Sequence, residues 1–133
     1  MAKTGGLARM ERLFQALGDR TRLRLLNLMK DEEVCVCLFV DVLEALQPKV
    51  SRHLAYLRKA GLVSARKEGK WMHYRLVEPQ DPAAAEVLRT VLAWAENDPE
   101  MRKDRSRYTT ACCSLPQLVR LGAAQKTVSA ETR

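Results

Sequence analysis

Four cysteines stand in two close pairs along this chain, Cys35/Cys37 and Cys112/Cys113. Thiolates are soft donors that hold thiophilic ions, and two thiols a few residues apart can also exchange with a disulfide. Close pairs in a secreted chain suggest disulfides. In a reducing compartment they more often bind soft metals or do redox work. Met1–Gly6 lacks the long apolar stretch of a signal peptide, and no apolar run reaches the roughly 18 residues of a membrane span. A cytoplasmic chain without a membrane partner is therefore expected. Catalysis by the thiols is not: no strand–helix setting or oriented histidine activates a nucleophile, and His73 beside Tyr74 reads as a strand residue. No catalytic cofactor is implied.

The elements that must position these thiols follow from apolar spacing. Leu7, Met10, Leu13, Phe14 and Leu17 recur at helical intervals, and Gly18-Asp19 ends that helix and caps the next, which runs to about Lys30. After the acidic Asp31-Glu32-Glu33 comes a short helix over 38–46, with Cys35 and Cys37 at its start and Gln47 closing a turn. Pro48 suits the opening of another helix and Gly61 its end, with Val50, Leu54 and Leu57 facing the core between them. Strands over 62–68 and 72–77 flank Gly69-Lys70 as a hairpin. Asp81-Pro82 opens a helix to about Asn97, whose broad apolar face (Val87, Leu88, Val91, Leu92 and Trp94 among others) suggests a partner subunit. The fold class is mainly α with a small β-hairpin, a winged helix-turn-helix. Residues 1–97 form the DNA-binding and dimerisation domain, and 98–133 a flexible tail carrying Cys112 and Cys113.

The 133 residues carry a net charge of +7, and residues 48–76 hold eight Lys or Arg against the single acid Glu68. The remaining segments cancel, so the whole excess lies in one helix and its hairpin. Confinement to one structural unit favours a polyanion. A helix fits the major groove and presents polar side chains to base edges. Gln47, Ser51 and Arg52 are the candidates for base contact, while Lys49, His53, Arg58 and Lys59 suit phosphates. Lys67 and Lys70 on the hairpin suit the backbone beside the groove. Packing beside Leu54 is an equally open role for His53.

The run from Leu17 to Leu76 resembles the ArsR/SmtB family of metal-responsive bacterial repressors. The matching pieces are Leu17-Gly18-Asp19-Arg20-Thr21-Arg22-Leu23, Cys35-Val36-Cys37, Gln47-Pro48-Lys49-Val50-Ser51-Arg52-His53-Leu54, Leu57-Arg58-Lys59-Ala60-Gly61-Leu62-Val63 and Arg66-Lys67-Glu68-Gly69-Lys70. The resemblance implies a homodimer joined through its first and last helices. It implies an inverted-repeat operator, double-stranded DNA from which an inducer releases the dimer. Cys-Val-Cys at this place resembles the branch that senses As(III) and Sb(III) in arsenical-resistance operons. In that branch a third cysteine commonly follows three residues later, where this chain has Val40.

As(III) prefers three soft thiolates, and only two are local. Cys112 or Cys113 is the candidate third donor: a flexible connection of 15 residues from Asn97 would reach roughly 50 Å, within either subunit. As an alternative, those two cysteines bind an arsenical by themselves. Residues i and i+2 of an intact helix point roughly 200° apart, so joint binding by Cys35 and Cys37 would require the first helical turn to distort. That distortion would tilt the reading helix. Relatives that bind Zn(II) on the last helix use His with carboxylates. Here that helix offers Asp81, Glu86 and Glu96 but no histidine, so zinc is not expected there. The alternatives to a metalloid inducer are Cd(II) or Pb(II), or thiol oxidation, acting on the same DNA head.

Overall fold

The computed structural model describes residues 6–114, the last three by backbone alone. Helix α1 (Gly6–Leu17) leads through Gly18 into α2 (Arg20–Met29). A Cβ at position 18 would stand 3.1 Å from the Phe14 carbonyl, which is why the tight exit takes glycine. Asp19 caps α2, its carboxylate accepting from the Arg22 N–H at 3.1 Å. Helix α3 (Val36–Leu43) stops where Glu44 adopts a left-handed backbone (φ 53°), and three residues later α4 begins (Gln47–Lys59). Val50, Leu54 and Leu57 are fully buried, as their spacing predicts. Gly61, at φ 83°, closes α4: its N–H donates to Arg58 O and the Leu62 N–H to Leu57 O, both at 3.0 Å.

Strands β2 (Val63–Glu68) and β3 (Trp71–Leu76) form the expected hairpin about Gly69-Lys70, paired from Val63↔Leu76 to Glu68↔Trp71. A third strand, β1 (Val34–Cys35), pairs antiparallel with β3 at Val34↔Tyr74 and Cys35↔His73, giving the order β1-β3-β2. A two-residue strand carries no alternation to read, so no periodic signal marks it. The same pairing takes Cys35 out of the helical phase: α3 spans Val36–Leu43 rather than 38–46. Helix α5 (Pro82–Ala95) starts at its Asp81 cap, whose carboxylate accepts from the Ala83 N–H at 2.9 Å.

The expected flexible tail over 98–133 is corrected in its first part, while residues 115–133 lie outside the described residues. Residues 99–114 form a further helix, α6 (Pro99–Ser114), begun by Asp98, whose carboxylate accepts from the N–H groups of Glu100 and Met101. It docks on α2 and α3 through Asp104, Tyr108 and Ala111, all buried. Asp104 accepts two hydrogen bonds from Arg24, at 2.7 and 2.9 Å. The docked face is partly charged, so no apolar stripe marked it in the sequence. The core itself gathers Leu25, Leu26, Leu28 and Met29 of α2 with Val34, Phe39, Val42, Val50, Leu54, Leu57 and Leu62. No helix among the described residues is long and apolar enough to cross a membrane.

Candidate nucleic-acid interface and thiol site

With Val50, Leu54 and Leu57 turned inward, α4 presents its other side to solvent. Gln47, Lys49, Arg52, Arg58 and Lys59 are exposed, and Ser51 is half-buried. Lys67 and Lys70 are exposed on the hairpin. Among the described residues none of Lys49, Arg52, Arg58, Lys59, Lys67 or Lys70 has an ion-pair partner, so their charge is available to a polyanion. Arg66 differs. It grips Glu33 at 2.5 and 3.0 Å and Glu68 at 2.8 Å, so it ties the hairpin to the segment before β1. The Arg66 guanidinium holds the Glu33 carboxyl below the usual range.

His53 is placed differently from the other candidates. Its side chain is 15% exposed, and its Nδ1 lies 3.3 Å from Arg22 Nη1 and 3.9 Å from an Asp19 carboxylate oxygen. Burial lowers its pKa, Asp19 opposes that shift, and Arg22, Arg52 and Lys49 add to it. The ring therefore joins α4 to the start of α2. Sequence reasoning missed Arg22, which meets His53 here, and Tyr56, whose ring lies 4.0 Å from the Arg22 guanidinium. No local spacing signals this contact, because Arg22 and Tyr56 lie on different helices.

The first thiol pair is closed up. Cys37 donates to Cys35 across 3.0 Å, with Cys35 buried and Cys37 half-buried. Cys35 has extended backbone (φ −71°, ψ 143°) because it ends β1 and caps α3, so it does not share the helical phase of Cys37. The premise that both cysteines lie in one helical turn is corrected: Cys35 precedes α3, and the two sulfurs approach without a break in that helix. The Cys37 S–H and backbone N–H stabilise a Cys35 thiolate against its burial, so its pKa falls. The Cys37 thiol, beside that thiolate and buried, is pushed up. Among the described residues no cluster of three His, Cys, Asp or Glu suits a metal ion.

Cys112 and Cys113 lie in the last turn of α6, and their side chains fall outside the described residues. The helix carrying them is held in register along α2. Arg20 pairs with Glu100 at 2.6 Å, Arg24 with Asp104, Asn27 with the Met101 carbonyl at 3.2 Å, and Arg105 with the Leu28 carbonyl at 3.3 Å; Tyr108 donates to Glu32. From Arg20–Glu100 through Arg24–Asp104 to Glu32–Tyr108 the contacts run the same way along both segments, so α6 lies parallel to α2, and Arg107 pairs with Glu44 at the end of α3 at 2.9 Å. A freely swinging tether of 15 residues is excluded by this docking.

Comparison with known proteins agrees with this architecture. Residues 19–65 match the family described as "Bacterial regulatory protein, arsR family". The chain is 50% identical over 78 residues to the arsenical resistance operon repressor of Escherichia coli, covering 57% of this chain and 66% of that protein. It is 42% identical over 82 residues to the arsenic resistance transcriptional regulator ArsR2 of Pseudomonas putida, covering 60% and 70%. Its fold is similar to the homodimeric winged helix-turn-helix domain of Mb0332 from Mycobacterium bovis, a possible ArsR-family regulator. The TM-score is 0.57 at 27% identity, over 72% of this chain and 91% of that one. The chain belongs to the arsR family of bacterial regulatory proteins, as a winged helix-turn-helix transcriptional repressor and not an enzyme.

Proposed function

We propose that this repressor responds to As(III) or Sb(III). As a homodimer joined through α1 and α5 it binds inverted-repeat operator DNA of an arsenical-resistance operon, with α4 in the major groove and the hairpin against the backbone. Metalloid capture by Cys35 and Cys37 releases it. The observation that carries the reading is the 3.0 Å approach of the two sulfurs at the start of α3, the helix that packs against α4. Two thiols so close, one with its pKa lowered by the other, form the open half of a soft-ligand site. The third thiolate comes from Cys112 or Cys113 of the same chain, a choice supported by the parallel docking of α6. A metalloid held by both segments ties the end of α6 to the start of α3, and the resulting shift of α3 tilts α4.

Dimerisation is supported by what α1 and α5 leave uncovered. Leu7, Met10 and Phe14 lie on one face of α1 and are 78%, 55% and 53% exposed, and Trp94 of α5 is 77% exposed. Apolar side chains in such a cluster mark an association surface. Residue roles on DNA are those expected from the sequence: Gln47, Ser51 and Arg52 toward bases, and Lys49, Arg58, Lys59, Lys67 and Lys70 toward phosphates. His53 acts from behind the surface.

The test is operator binding measured against As(III), Sb(III), Cd(II), Pb(II), Zn(II) and peroxide, for the wild type, Cys35→Ser/Cys37→Ser and Cys112→Ser/Cys113→Ser. As(III) and Sb(III) should release the wild type and neither variant. Unchanged release from Cys112→Ser/Cys113→Ser would remove α6 from the sensor. The second reading is a thiol-redox repressor, favoured by the same close approach of the two sulfurs. Release by peroxide with no response to As(III) would establish it in place of the first, and release by Cd(II) or Pb(II) alone would identify a metal sensor.

A further inference from the structure

The Arg22 guanidinium meets three acceptors and one aromatic ring. Nε donates to the Ala16 carbonyl at 2.9 Å and Nη2 to the Gln15 carbonyl at 2.8 Å, two of the acceptors left open at the end of α1. Nη1 stands 3.3 Å from His53 Nδ1, and the plane stacks 4.0 Å from the centre of the Tyr56 ring. Arginine only donates, so in this contact His53 Nδ1 is the acceptor. Only 12% of the Arg22 side chain is exposed. No backbone hydrogen bond joins α1 to α4 among the described residues, so this side chain is their polar link. Phe14 of the exposed α1 face lines an open cleft together with Arg22 and Tyr56.

A dimer that reads two half-sites must hold its two reading helices at a fixed separation, roughly 34 Å for neighbouring turns of one groove. That separation depends on how rigidly α4 is fixed to the dimer-forming surface within each subunit. We propose that Arg22 is the positioning residue that fixes α4 to the end of α1, and so sets the spacing at which the dimer reads two half-sites. The inference rests on the reading above, in which α4 binds DNA and α1 forms the dimer. A planar fork is required, because three acceptors on two helices are met at once from one rigid group; an ammonium has a single nitrogen to offer them.

The test uses a duplex recovered by wild-type selection from a random-sequence library. From it are made a single half-site and variants with the half-sites one base pair nearer or farther apart. Binding is measured for the full-length wild type, Arg22→Lys and Tyr56→Leu. Arg22→Lys should lose about tenfold or more on the correctly spaced duplex, the scale of a lost charge-assisted hydrogen bond, and should no longer discriminate against the misspaced ones. Its half-site affinity and dimerisation constant should stay within about twofold of wild type, since Arg22 is 12% exposed and is not among the residues assigned to either surface. Tyr56→Leu, altering a side chain that is 41% exposed, should show the same pattern more weakly and decides the matter if Arg22→Lys does not fold. Equal loss on half-site and full site, or spacing discrimination kept by both variants, overturns the proposal. A wild type that selects no duplex, or that binds it as a monomer, instead removes the DNA or dimer reading beneath it.

Discussion

Replacing Asp104 by alanine tests whether α6 is part of the folded body. The carboxylate is 3% exposed and receives both Arg24 bonds, at 2.7 and 2.9 Å. With it gone, Arg24 keeps only Glu100, at 3.8 Å. Breaking a buried pair from one side costs about 3–5 kcal/mol, because the stranded charge is left without its partner. The Arg24 side chain is 19% exposed and can recover some hydration, which places the cost near the lower end, about 3 kcal/mol. Spread over the residues from 6 to 114, at an unfolding entropy of about 2.1 cal/mol/K each, that loss lowers Tm by about 13 °C. The assay is thermal unfolding of wild type, Asp104→Ala and Arg24→Met/Asp104→Leu at one protein concentration, since dimer stability depends on it. The double variant, which leaves no charge behind, should recover most of the loss. An Asp104→Ala midpoint within about 2 °C of wild type would mean that α6 contributes no docking energy, and the reasoning from its register along α2 would fail with it.

Three further outcomes follow from the site geometry. In the Cys112→Ser/Cys113→Ser background, thiolate absorbance against pH should rise in two steps, one below and one above the ordinary thiol range; Cys37→Ala should move the Cys35 step upward, because burial remains while the S–H donor is lost. The Glu33 carboxyl, held low by Arg66, contributes stability that is full above the unfolded glutamate value and is lost as the pH falls through the lower folded value; Glu33→Gln should therefore flatten the acid limb of a stability–pH curve, and an unchanged limb would contradict the pairing. On DNA, Arg52→Ala should cost about 1–3 kcal/mol and relax preference at one base position, whereas Lys70→Ala should weaken all sequences alike and reduce the salt slope by about one.

The reading head was legible before any coordinates because its signals are local. Val50, Leu54 and Leu57 repeat on one helical face, Gly61 takes the left-handed backbone that ends it, and Gly69-Lys70 turns the hairpin. Each depends on residues a few positions apart, and charge confined to 48–76 depends on composition alone. Tertiary structure decided the rest. The distance between two sulfurs separated by one residue was set by β1 pairing Cys35 with His73, 38 positions away, which moved Cys35 off the helix. Helix α6 was hidden for a like reason: its Asp98-Pro99-Glu100 start is a recognisable cap, but Asp104 finds its partner 80 positions earlier. His53 on its own could face phosphate or core, and Arg22, 31 positions before it, turned it inward. Spacing along the chain determines which faces are apolar and where helices begin and end. Which polar groups meet across the fold is decided only when packing brings distant segments together, since a buried charge requires a partner and the sequence does not order those partners by proximity.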